Sequence, residues 1–194
     1  MLPELIDAGH PALDLLNTAG GATRERDVER LDTFADAVAF AEHVGLVDAE
    51  EAVELAAVGT DADLADLRAQ REALHGFLAA AVDGRSPRPV DRERVAQDVR
   101  AAHRAARLSA DLTGPAWTVD IAIGPAAVGH RFALATAALL AGPQRAQISR
   151  CGRCSWLFLD PSPSRRRRWC SMSTCGNRAK AARHHGRSAS APRP

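Results

Sequence analysis

The sequence predicts an α+β chain: a mostly helical N-terminal body with a small antiparallel sheet, then a compact module built around four cysteines. Three observations carry this. Apolar residues recur at helical spacing in five stretches between residues 32 and 141. Two short runs, 108–112 and 117–123, flank a Thr113-Gly-Pro-Ala turn and read as a hairpin. All four cysteines fall between residues 151 and 175.

Taken in order, Ala12–Asn17, between His10-Pro11 and Gly20-Gly21, reads as a short strand. On a strand His10 and Asp14 would share a face and Asn17 would lie on the other, so Asn17 is expected to close the turn rather than join an active site. Asp32 is placed to cap a helix through Phe34, Val38 and Ala41 that stops at Gly45. Asp48 and Glu51 have capping-box spacing for a helix reaching Val58. Asp61 opens a longer helix through Leu64, Leu67, Arg71, Leu74, Leu78 and Ala81, ending at Gly84, and Asp91 opens another to about Arg107. Pro125 starts a helix over Ala126–Ala141 that is apolar nearly all round, hence expected to be buried. His75, His103 and His130 stand alone within helical patterns and suggest no catalytic pairing. The body is expected to span residues 1–145, the cysteine module 146–187, and a disordered tail 188–194.

The net charge of +1 conceals two halves of opposite sign. Residues 145–194 hold twelve Arg or Lys and one acid, Asp160, whereas residues 1–144 hold thirteen Arg and 23 acids. A basic end on an acidic body points to a polyanionic partner, unless the two halves neutralise each other by contact. No apolar stretch is long enough for a membrane span, and the N-terminus lacks the basic region of a signal peptide. A cytoplasmic location follows as the default, where reduced cysteines favour metal over disulfides.

The cysteines form two pairs, Cys151-x-x-Cys154 and Cys170-x4-Cys175, with fifteen residues between the pairs. Two short-range thiolate pairs that can converge are what a tetrahedral metal site requires, so one structural Zn2+ is expected in a zinc-finger module. Four thiolates leave no open coordination position, which argues against a catalytic metal. Trp156 and Trp169 are expected to pack around the site, with base stacking as the alternative. Arg165, Arg166, Arg167 and Arg168 form a run presented between the ligand pairs, suited to phosphate oxygens and guanine edges. Cys175 is expected to begin a helix with Lys180, Arg183, His184 and Arg187 on one face. Arg178, Ala181 and Ala182 would lie on the other, with Asp160 as Arg178's partner.

The run Cys151-x-x-Cys154-x-Trp156-Leu-Phe158-x-Asp160 and Arg167-Arg-Trp169-Cys170-Ser-Met-x-x-Cys175-Gly176-Asn177-Arg178 resembles the CGNR zinc-finger family, named for its last four residues. The segment Gly9-His-Pro-Ala-Leu-Asp-Leu-Leu-Asn-Thr18 resembles the opening of the ABATE domain, which usually precedes that finger, and Phe40-Ala-Glu-His-Val-Gly-Leu46 fits it as well. The resemblance implies that Cys151, Cys154, Cys170 and Cys175 hold zinc and that the chain is a stress-induced transcription regulator, a role assigned to the family by inference. The DNA-binding reading places the arginine run and the basic helix on a duplex and leaves the body to sense a small-molecule effector or to form a homodimer. RNA binding, a protein-interaction module, and an enzyme with structural zinc remain as alternatives. With neither a nucleophile–base pair nor a phosphate loop in the sequence, the expectation is that the chain is not an enzyme.

Overall fold

The computed structural model describes residues 7–111 and 114–182. The body contains α1 (Pro11–Asn17), α2 (Phe34–His43), α3 (Ala49–Val58), α4 (Asp61–Val82), α5 (Pro89–Ala105) and α6 (Ala126–Ala141), with the hairpin β1 (Arg107–Asp111) and β2 (Gly114–Thr118) between α5 and α6. A second hairpin, β3 (Ile148–Arg150) and β4 (Leu157–Leu159), opens the cysteine module. Both sheets are two-stranded and antiparallel, so the α+β expectation holds. Among the described residues no helix is long and apolar enough to cross a membrane.

The first element corrects the sequence reading: residues 11–17 form a helix, not a strand. His10 is extended and its Nδ1 accepts from the Ala12 N–H at 3.2 Å, while Pro11 supplies a first helical residue with no N–H to satisfy. Ala12, Leu13, Leu15 and Leu16 are all buried, and only Pro11 and Asp14 reach the surface, so seven residues carry a single polar position at the surface. That is why its periodicity is silent.

The other helices begin where local chemistry says they should. The capping box of Asp48 and Glu51 is formed as expected. Thr33 with Asp36 and Thr60 with Asp63 make the same reciprocal arrangement, so a threonine caps α2 and α4 in place of Asp32 and Asp61. In the hairpin, Leu108 pairs with Trp117 and Ala110 with Pro115, a proline that a two-stranded ribbon tolerates. The expected strand 117–123 stops early, because Asp120 accepts from the Ala122 N–H and turns Ile121–Ile123 into a 3-10 helix. Thr113 lies outside the described residues.

Two apolar clusters hold the molecule together. One lies within the body, where Phe40 and Phe132 stack at 5.9 Å among Leu15, Leu31, Leu55 and Leu67. The other is shared: Leu13, Leu16, Leu74, Leu78 and Leu139 of the body pack with Trp156, Leu157, Phe158 and the four cysteines. Burial of Trp156, Leu157 and Phe158 is worth about 1.5–3 kcal/mol each, far more than one surface ion pair. The oppositely charged halves therefore meet through apolar contact. Among the described residues a single ion pair, Arg150 with Asp83, joins the basic quarter to the acidic body.

Candidate metal centre and basic surface

β3 and β4 are joined by the first cysteine pair. The Cys151 N–H donates to the Trp156 carbonyl at 3.0 Å, folding residues 151–156 into a tight knuckle that turns both thiols inward. Of the second pair, Cys170 precedes a helical turn, Met172–Gly176, and Cys175 lies within it; the turn continues as α-helix over 177–182. That helix starts before Cys175, earlier than the sequence suggested, with extended Ser171 at its N-cap. The Gly152 N–H donates to the Arg168 carbonyl at 2.8 Å and ties the two halves of the module together.

All four sulfurs are buried and lie within 4.8 Å of one another. Cys154 Sγ and Cys170 Sγ are 3.7 Å apart. Four sulfurs each about 2.3 Å from a tetrahedral zinc would be separated by about 3.8 Å. The spacing suits a shared cation and is far too long for a disulfide. The thiols also perturb one another. Hydrogen bonds from Cys154 and Cys170 pull the Cys151 thiol far down, while hydrogen bonding to Cys151 pushes Cys154 up to about 12 and raises Cys170. Without a cation the charge falls on Cys151, while Cys154 and Cys170 hold their protons more tightly. The donor set fits one structural zinc ion.

With the centre defined, the chain can be compared with known families. The ABATE family model, described as "Putative stress-induced transcription regulator", matches residues 9–143, well over half of the chain. The chain belongs to the ABATE family. The CGNR zinc-finger model matches residues 147–188 of this ABATE protein. No match was found among curated proteins.

The CGNR residues have distinct jobs in this ABATE protein. Cys175 is a ligand. Gly176 leaves room for the Met172 sulfur, which a Cβ would meet at 2.7 Å, and for the edge of Trp169 at 3.3 Å. Asn177 Nδ2 donates to the Ser173 carbonyl at 3.1 Å. Arg178 is exposed, and the expected Arg178–Asp160 pair is absent. Buried Asp160 instead accepts from the Ser162 hydroxyl at 2.6 Å and the Arg167 N–H at 2.9 Å, and these bonds hold its carboxyl below the usual range. Ala181 and Ala182 are exposed too, so this helix turns neither of them onto the module.

The arginine run is not uniform. Arg167 is a bracket: its guanidinium donates to the carbonyls of Trp169, Leu159 and Cys170 and covers the Phe158 ring at 4.3 Å. Arg167 is exposed like its neighbours, but three of its five guanidinium N–H groups serve backbone oxygens, which gives it a structural role that the sequence reading did not assign. Arg165, Arg166 and Arg168 are exposed, Arg165 touching the Ala146 carbonyl and Arg168 lying 5.3 Å over Trp169. Lys180 is exposed. Arg183, His184, Arg187 and the tail lie outside the described residues.

The sequence reading missed how the body completes this surface. Arg24 reaches across to the Gly152 carbonyl at 3.1 Å, beside exposed Arg153 in the first knuckle. Trp156 donates from Nε1 to the Ala19 carbonyl at 3.0 Å, with Arg30 over its ring at 5.2 Å. Gly21, at φ +100°, passes so close to that indole that a Cβ would fall 2.5 Å from it. The segment is held from beneath by Arg71, 3% exposed, which grips Glu29 at 2.6 Å. Burial works to raise Glu29, but Arg71's hydrogen bonds prevail and bring it down to about 2. His75 Nε2 meets the Ser155 carbonyl at 2.9 Å, a satisfied interior histidine.

Proposed function

We propose that this chain regulates transcription by binding duplex DNA through the exposed basic face of its zinc finger. The observation that carries the reading is that Arg153, Arg165, Arg166, Arg168 and Lys180 are exposed around a cross-linked centre, while Arg150 alone among the described basic residues of the finger pairs with an acid of the body. Contact with the body therefore leaves this charge available to phosphates, and a rigid four-cysteine core presents it without a large ordering cost. Arg24 extends the same surface from the body. Trp156 is buried and Trp169 half-buried, which favours backbone contacts over the stacking platform that single-stranded RNA would use. The family's description as a stress-induced transcription regulator agrees with this reading.

In vitro selection of the zinc-loaded full chain against a random duplex pool, with a chelated control, tests it. An enriched motif lost on chelation supports a sequence-specific regulator. Failure to retain any duplex at moderate salt, with RNA or a protein partner retained, overturns it.

A further inference from the structure

The helix of the finger carries a carboxamide at the centre of its outward face. Cys175 and Gly176 are buried and Ala179 half-buried, and they seat residues 172–182 on the metal centre. Ser173, Asn177, Arg178, Lys180 and Ala181 are exposed. At about 100° per residue along the α-helical part, Ala181 lies about 40° from Asn177, with Lys180 on one side of that pair and Arg178 on the other. Neither cation has an ion-pair partner among the described residues. Asp160, the one acid of the finger, is buried and bonded to Ser162 and Arg167. The outward face is therefore an amide in line with two small side chains, Ser173 and Ala181, with a positive charge on either flank.

Asn177 is already oriented. Its Nδ2 donates one hydrogen to the Ser173 carbonyl at 3.1 Å. A carboxamide has a second hydrogen on that nitrogen and an oxygen with two lone pairs. The bond to Ser173 thus restrains the amide and leaves Oδ1 and one N–H without a partner among the described residues. One acceptor beside one donor matches the major-groove edge of adenine, which offers the N6–H donor beside the N7 acceptor. Guanine presents two acceptors there and would leave Oδ1 facing another oxygen or nitrogen lone pair. The short side chains of Ser173 and Ala181 let the helix backbone enter a groove about 12 Å wide, whereas the major groove of an RNA duplex is too narrow to admit it.

We propose that Asn177 is the base-reading residue of this finger. Its Oδ1 accepts from the N6–H of an adenine and its second N–H donates to N7, while Arg178 and Lys180 hold phosphates on the two sides of the major groove. This role rests on duplex binding by the finger and adds to it the element that enters the groove and the base that is selected. The amide supplies sequence preference and the two cations supply affinity, because phosphate contacts are the same at every sequence.

Selection of the zinc-loaded full chain against a random duplex pool, followed by titrations on the enriched site, tests this role. The motif is expected to require an adenine at one position. Replacing that adenine by 7-deazaadenine, which lacks the N7 acceptor but still pairs with thymine, should weaken wild type about tenfold. Asn177→Ala should bind the two duplexes alike, and its own selected motif should lose the adenine and keep the rest. Arg178→Gln and Lys180→Gln should weaken binding to every sequence and flatten its salt dependence without removing the adenine. Zinc content and melting temperature show that each variant folds, and the 7-deazaadenine comparison on wild type needs no variant. A motif with no required adenine, an adenine preference that survives in Asn177→Ala, or indifference of wild type to 7-deazaadenine overturns the role of Asn177 and leaves duplex binding standing. Failure of wild type to retain any duplex overturns both.

Discussion

The carboxamide of Asn17 pairs with both backbone polar groups of Leu157, 140 positions along the chain: its Nδ2 donates to the carbonyl at 2.9 Å and its Oδ1 accepts from the N–H at 3.2 Å. One side chain thus does the work of a neighbouring strand on the outer edge of β4. Beside it, the Ala8 carbonyl accepts from the Leu159 N–H at 2.8 Å. The buried edge of the finger's hairpin is completed by the start of the body, so hydrogen bonds as well as apolar contacts join finger to body.

Asn17→Ala should leave two buried backbone groups of Leu157 unpaired and cost about 3 kcal/mol. Asn17→Asp should destabilise comparably, since a carboxylate cannot donate to the Leu157 carbonyl. Denaturant unfolding of the zinc-loaded proteins measures both. Stability within a few tenths of wild type would show that water or rearrangement satisfies Leu157.

Because Cys151, Cys154, Cys170 and Cys175 share a cluster with Leu13, Leu16 and Leu78, loss of zinc should weaken the body as well as the finger. Chelation, or Cys170→Ser, is expected to lower the melting temperature of the whole chain, and metal analysis of wild type should give one zinc per chain. A body transition indifferent to zinc would separate the two parts energetically.

Arg166 and Arg167 are adjacent but should behave oppositely. Arg167→Ala removes the bracket over Leu159, Trp169, Cys170 and Phe158 and should lower stability by about 2 kcal/mol. Arg166→Ala should leave stability unchanged and reduce the salt dependence of duplex binding, by about 0.9 in the log–log slope if the side chain meets one phosphate. Melting curves and salt titrations of the two variants check this. Identical effects of both substitutions would contradict the division.

His75 carries a pH signature. Burial, aided by the nearby charge of Arg26, depresses its pKa to about 4, against 6.5 for an ordinary histidine. The unfolded chain therefore binds a proton at this residue at higher pH than the folded chain does. The stability it contributes is complete above about pH 6.5 and is lost as pH falls from there towards 4. Asp14 opposes this over part of the range: burial raises it to about 6, so its share of stability grows as pH falls from 6. His75→Gln, whose amide can still donate to the Ser155 carbonyl, isolates the histidine because Asp14 and the cysteines are common to both proteins. Between pH 7 and pH 4 wild type should lose more stability than the variant. Parallel curves would mean that His75 does not titrate on unfolding.

Much of this architecture could be read residue by residue. The capping box at Asp48 and Glu51, the span of α6 and the two cysteine pairs all rest on neighbours within a few positions, and their chemistry is complete without the rest of the fold. α1 could not be read this way. A seven-residue helix with one polar side chain at its surface, Asp14, is too short to reveal its period, and its start is set by a histidine nitrogen, an unusual cap. The arginine run misled for a related reason. Charge and exposure are visible in a string of residues, but carbonyl acceptors are not, so Arg167 could not be told from Arg166 until the oxygens of Leu159 and Cys170 were in place around it.

Ligand spacing and helix caps are local properties, and they settled the metal and most of the helices before any folding. How body and finger meet is neither local nor additive. Twenty-three acids and a basic tail leave mutual neutralisation open as the alternative to a polyanionic partner. The fold instead joins them through Leu13, Leu16, Trp156 and Phe158, because removing apolar area from water outweighs pairing charges that water already solvates well. That outcome leaves the finger's arginines facing outward.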